Sequence, residues 1–238
     1  MKRTSLWIIM PFLISCTTDR TEMEPVENTL SYSERTGIKQ PFNAANEFDQ
    51  AGALHNELSE SYVVGGTLPT SVSATLTSVD SIAGSNALFH QVKGGHYTIP
   101  PVSRLEYILE QSDLDFTNVF SCSSLSSGAK KNLAVFVERI QYLEASKSDY
   151  DSIYQYIVIA EDSILSSTTY SQHDKELLLI TTSITRHASY FARAQKRKPR
   201  DKDWILVIAN ITAATDGAEK GIGEAAVMSA TAGIVSNY

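Results

Sequence analysis

Cysteine is scarce in this chain: Cys16 and Cys122 are the only two, so no disulfide framework is available and stability must come from packing. Several chemical signatures are missing as well. There is no H-E-x-x-H, no paired cysteine motif, no EF-hand loop, no G-x-S-x-G and no glycine-rich phosphate loop, which removes the usual sequence grounds for a metal, an acyl-enzyme or a nucleotide cofactor. Alternation of apolar and polar residues at a period of two is absent throughout, so the expected fold class is all-α. Positive charge is in deficit. A formal net charge of −7 argues against general nucleic-acid binding. The apolar run at residues 6–13 is too short to span a bilayer.

What the chain does have begins with that run. Lys2 and Arg3 precede it, and Leu13-Ile14-Ser15-Cys16 closes it, the arrangement of a secretory signal with a short apolar centre. Leu13-Ile14-Ser15-Cys16 resembles the lipobox of bacterial lipoproteins. That resemblance implies cleavage before Cys16, acylation of Cys16 and a lipid-anchored mature chain; the alternative is an ordinary signal in which Cys16 is incidental. Residues 17–40 are polar and aperiodic, as expected of a tether. Asp19, Glu22, Glu24 and Glu27 behind Cys16 resemble the acidic export signals of surface lipoproteins in Bacteroidetes-type bacteria. The expected address is the cell envelope, at the outer membrane, with the side it faces left open.

Residues 41–238 are expected to form one domain. A helix should begin at Asn43 or Asn46, capped by either side chain, and run to about Val63, with Phe48, Ala51, Gly52, His55, Leu58 and Tyr62 on its buried stripe. Asn46, Asp49, Gly52, His55 and Asn56 form an N-x-x-D-x-x-G-x-x-H-N segment, which resembles one near the start of uncharacterised Bacteroidetes lipoproteins. The resemblance brings no activity with it. Residues 70–89 read as one poor helix, Pro100-Pro101 as the opening of another, and residues 120–128 as a connector.

Three amphipathic stretches follow within residues 126–198, marked by Leu133 to Leu143, by Tyr150 to Ile164 and by Leu177 to Phe191. Ser148 with Asp151, and Ser171 with Asp174, have capping-box spacing, and Pro199 stops the last stretch. Short connections between them predict an up-down three-helix unit. Residues 203–238 are rich in small side chains. Ala209, Ala213, Gly217, Gly221, Ala225, Ser229 and Gly233 recur at every fourth position, which predicts close helix packing in one helix or in a hairpin divided near Gly221. Asp216, Glu219, Lys220 and Glu224 argue against a membrane span there.

Few residues suggest chemistry. His55-Asn56-Glu57 contains the H-x-E of zinc deaminases without its cysteine partner. His90 and His96 flank a glycine loop with no carboxylate or thiol cluster beside them, so no metal site is expected. Cys122 lacks a recognisable activating base and reads as a small half-buried residue. Asp49, His55 and Asn56 are the candidate binding residues. Six positions separate Asp49 from His55 on a helix, so each should bond a neighbouring element; the competing reading is a satisfied core histidine, with Gly52 admitting a crossing helix. Arg193, Lys196, Arg197, Lys198, Arg200 and Lys202 form a basic patch, suited to a helix terminus or to anionic lipid. The expected function is a binding module for a protein or envelope component, without nucleic acid or cofactor. The alternatives are a membrane-active or self-assembling protein using the small-residue segment, and a hydrolase.

Overall fold

The computed structural model describes residues 39–66, 68–194 and 208–238. Cys16, the tether up to residue 38, Trp204 and the basic residues Lys196, Arg197, Lys198, Arg200 and Lys202 lie outside them. Among the described residues there are ten helices and no strand: α1 (Asp49–Val64), α2 (Val72–Gly84), α3 (Ala87–Val92), α4 (Val102–Leu114), α5 (Thr117–Ser121), α6 (Ser127–Ala145), α7 (Tyr150–Ser166), α8 (Gln172–Ala194), α9 (Ile208–Ala218) and α10 (Ile222–Asn237). The chain is all-α, a bundle arranged about α8.

Local chemistry sets the boundaries, and several differ from the sequence expectation. Helix α1 starts at Asp49, after Phe48, because Asn43 and Asn46 use their side-chain oxygens on the turn before it, accepting from the backbone of Ala45 and Phe48. The single helix expected over residues 70–89 is two. Asn86 accepts from the Phe89 N–H at 2.8 Å and opens α3 as a separate turn of helix. The connector expected over residues 120–128 holds the end of α5 and the beginning of α6. Helix α7 is capped by Asp149, which accepts from Ser152, rather than by Ser148. The Ser171–Asp174 box does form: Ser171 Oγ accepts from the Asp174 N–H at 3.0 Å, and Asp174 accepts from the Ser171 N–H at 3.2 Å. Asp174 also accepts from the Ser126 N–H at 2.8 Å, so one carboxylate closes α8 and holds the first residue before α6.

The expected stripe of α8, Leu177, Ile180, Ile184, Ala188 and Phe191, is buried, but so is every other residue from Leu177 to Ala192. The helix is enclosed rather than amphipathic. Helices α1, α7 and α9 pack along it. The backbone of α6 stands farther off and meets the core through Leu133, Phe136, Val137 and Ile140. No described helix is long and apolar enough to cross a membrane.

The small-residue segment forms a hairpin, with Gly221 at φ +127° between α9 and α10, a conformation that side chains rarely adopt. A Cβ on Gly217 would lie 2.6 Å from the Ala225 Cα, and one on Gly233 would collide with the Asn210 side-chain amide. These two contacts set an antiparallel register in which the fourth-position row is split across two facing helices. The hairpin lies on α8 through α9, while α10 turns to α1 and α2.

Gly217→Leu is therefore expected to lower the unfolding free energy by about 1–3 kcal/mol through overpacking, with the sedimentation coefficient unchanged. Nothing lies within 4 Å of a Cβ at Gly221, so Gly221→Leu acts through backbone strain alone. Unchanged denaturant midpoints with altered sedimentation would contradict the intramolecular hairpin.

Candidate functional site

The N-x-x-D-x-x-G-x-x-H-N segment meets α8 in the middle of the bundle. Gly52 makes the crossing possible: a Cβ there would lie 2.5 Å from the Ser183 carbonyl oxygen and would overlap the His187 ring. Ser183 knits the two backbones together, accepting from the Gly52 N–H and donating to the Asp49 carbonyl, both at 3.1 Å. This close approach brings Asp49 onto Arg186, whose side chain is fully buried.

Arg186 is the centre of a sealed polar cluster. Its Nη2 donates to Asp49 Oδ1 at 2.6 Å and to Glu161 Oε1 at 3.1 Å, and its Nε donates to Glu161 Oε2 at 3.2 Å. Glu161, on α7, has no exposed surface, and Asn43 and Asn46 each donate to one of its oxygens at 2.7 Å. Asn46 also donates to the Leu179 carbonyl. Four donors thus satisfy one buried carboxylate, the condition under which a charge can be held out of water. His187 faces Asp49 at 3.4 Å. Burial raises the Asp49 pKa, but His187 and Arg186 outweigh it, and the carboxyl is held below its ordinary value.

His55 lies on the other side of the crossing. Its Nε2 accepts from the Asn210 amide of α9 at 3.4 Å, and its Nδ1 donates to Asn56 Oδ1 at 3.3 Å. Asn210 also donates to the Ser229 carbonyl of α10, so the pair ties α1 to the hairpin. Burial, opposed by Asn56 and assisted by His187, lowers the His55 pKa to about 4, which leaves a neutral ring. Asp49 and His55 each bond a neighbouring helix and not each other, and both sit inside the scaffold. Sequence reasoning missed their partners Glu161, Arg186, His187 and Asn210. The signal for Arg186 was present, however: between Glu176 and Arg193 it is the one Asp, Glu, Lys or Arg in a long helical run, the pattern of an enclosed helix.

The other singled-out residues are dispersed. Cys122 is exposed, not half-buried, because it caps the end of the short α5. His96 is exposed, and the exposed His90 ring donates to the Gly84 carbonyl at 2.8 Å. Arg193 pairs with Glu144 at 2.9 Å and donates to the Ser148 carbonyl, bracing the end of α8 against α6. Among the described residues no group of three His, Cys, Asp or Glu side chains could hold a metal ion.

Two surface features have the elements of a site. Ser124 Oγ lies 2.5 Å from both His173 Nε2 and Glu219 Oε2, and Glu219 also accepts from the Ser124 N–H at 2.7 Å. A hydroxyl has one proton. With the carboxylate accepting it, His173 must donate to Ser124 Oγ, which inverts the general-base arrangement of a hydrolytic triad. The trio is a strut fastening the loop before α6 to the end of α9. Beside it, a cleft of about 690 Å³ opens between the start of α4 and the α9–α10 turn, walled by Pro100, Pro101, Tyr107 and Met228. Arg104 spans it to Asp216 in a two-pronged ion pair and lies 4.9 Å from the Tyr107 ring centre. Glu224 lines the same cleft and is 3% exposed. Its Oε1 accepts from the Thr98 N–H at 3.0 Å, while its buried Oε2 has no hydrogen-bond partner.

No protein-family model, curated protein or solved structure matches the chain.

The neutral buried histidines make stability depend on pH. In the unfolded chain His55 titrates at about 6.5, so below that value the unfolded state binds a proton that the folded state refuses. Stability is fully present above about pH 6.5 and is lost toward pH 4, by about 1.4 kcal/mol per unit for one such group. The lowered pKa of His187 acts in the same direction. Asp49 acts lower: its contribution holds above the ordinary carboxylate value and is lost as pH falls through its depressed one. The urea midpoint should fall between pH 7 and pH 5, and less steeply in His55→Gln; equal slopes for the two proteins would contradict a neutral buried His55.

Proposed function

We propose that this chain is an envelope-anchored binding protein, held to the outer membrane through a lipidated Cys16, which recognises a small component of the envelope in the cleft between α4 and the α9–α10 hairpin. The single observation that carries the reading is Glu224. A carboxylate 3% exposed, with one oxygen unpartnered, is costly to keep, and it lines a concave, mostly apolar space of ligand size. The polar segment that resembles other lipoproteins supports the same division of labour. Asp49, His55 and Asn56 are spent on joining α1 to α8 and α9, so recognition falls to the surface.

The anchor and the cleft are tested together. Globomycin treatment or Cys16→Ala is expected to leave an unlipidated precursor, and release of a normally matured soluble chain would overturn the anchor. Native mass spectrometry of the lipoprotein mixed with an envelope extract is expected to show a small-molecule adduct that Ser103→Trp, placed in the cleft wall, abolishes. An extract giving no adduct, or one indifferent to Ser103→Trp, would overturn the cleft as the recognition site.

A further inference from the structure

We infer that the groove between α6 and α7 holds an uncharged amphiphile, a molecule with a hydrocarbon body and a hydroxyl or amide head, at a site separate from the cleft above. The groove has a volume of about 630 Å³, within the range of ligand pockets, and shares no lining residue with that cleft.

Its shape follows from the sequence of its walls. On α7 the lining residues Tyr156, Ala160 and Ile164 recur at every fourth position, so a methyl group stands between two large side chains and leaves room. On α6, Asn132 and Phe136 are one turn apart on one face. Phe136 stacks on Tyr156 with ring centres 5.7 Å apart, and the Asn132 amide donates to the Tyr170 hydroxyl in the loop between α7 and α8. All four of these residues line the groove, and Leu133 of α6 and Leu178 of α8 give it a buried apolar floor.

The chemistry of the lining sets the ligand class. Val135 on α6 and Ile159 on α7 are exposed at the groove, and a hydrocarbon body would remove both from water. Both helices carry charges, Lys131 and Arg139 on α6 and Asp162 on α7 among them, yet no charged side chain is among the described residues that line the groove. An ion lodged there would leave water without a partner, a cost that an uncharged head avoids. A donor for the head is already fixed in place. The Tyr170 hydroxyl accepts from Asn132 and keeps its own proton, which it can give to a hydroxyl or carbonyl oxygen.

The test is calorimetric titration of the full Cys16→Ala chain, which carries no acyl group of its own to compete, with n-octanol, n-octanoate and n-octylammonium. The expected order places n-octanol at least about tenfold tighter than either ion. Ala160→Phe, which fills the space beside Tyr156, should abolish n-octanol binding with a melting temperature no lower than the parent. Ser163→Trp, an exposed change in the same wall, should abolish it as well. Tyr170→Phe should weaken n-octanol about fivefold and leave n-octylammonium, which has no acceptor for the lost proton, unchanged. Binding of either ion as tight as n-octanol would overturn the uncharged class. No uptake of n-octanol, or uptake that survives both Ala160→Phe and Ser163→Trp or is lost in Ser103→Trp, would overturn the groove as a site.

Discussion

A guanidinium held wholly out of water is the constraint that the rest of this molecule answers to. Arg186 lies in the middle of α8 with no exposed surface, and a bare charge there would cost far more than a domain can offset. Two of the helices packed along α8, and the turn before α1, therefore contribute groups that neutralise it or satisfy its partner. Helix α1 brings Asp49, α7 brings Glu161, and the turn before α1 brings Asn43 and Asn46 to satisfy Glu161 in turn. Gly52 and Ser183 let the backbones come close enough for this to happen. Helices α6, α9 and α10 contribute apolar side chains to the same core.

Such a cluster contributes direction rather than net stability. Hydrophobic contacts tolerate sliding and rotation, whereas the hydrogen bonds of a guanidinium with two carboxylates are directional, and those present link α1, α7 and α8. The same logic runs to the hairpin. Asn210 bonds His55 and the Ser229 carbonyl, so the polar centre and the small-residue contact of α9 with α10 share a residue. A scaffold fixed in this way can hold a costly feature at its edge. Glu224, three residues into α10 from Gly221, is kept buried and half-satisfied at the cleft because the hairpin that carries it is anchored along its length.

How much of this was legible in the sequence depends on the kind of signal. The apolar periodicity of α6 and α7 and the small-residue row showed an all-α bundle, because burial at helical spacing leaves a pattern along one helix. The Ser171–Asp174 box was readable for the same reason: both partners lie within one turn. Glu161 was not read, since it looks like a solvated charge until its partner, far away in sequence, is placed beside it; Arg186 was not read although it is the one charge in a long helical run. The enclosure of α8 was readable from its near lack of charge, but amphipathic patterning was expected there because Leu177, Ile180 and Ile184 already formed a stripe. The boundary at Asn86 turned on a single side-chain cap in a stretch of weak helix formers. Glu224 was read as a charge that interrupts an apolar segment; its burial against Thr98 is tertiary and leaves no local trace.

The claim that the Arg186 cluster sets the fold is tested most directly by a double-mutant cycle in denaturant. Arg186→Met strands two carboxylates, and Glu161→Leu strands the guanidinium's Nε and two asparagines; each is expected to cost about 3–5 kcal/mol. Removing both together removes Glu161 with the guanidinium and leaves Asp49 alone, still facing His187 and the Asn43 N–H, so the double variant should be about as stable as either single one, a coupling of at least about 2 kcal/mol. Strictly additive losses, or single variants as stable as the parent, would contradict the account.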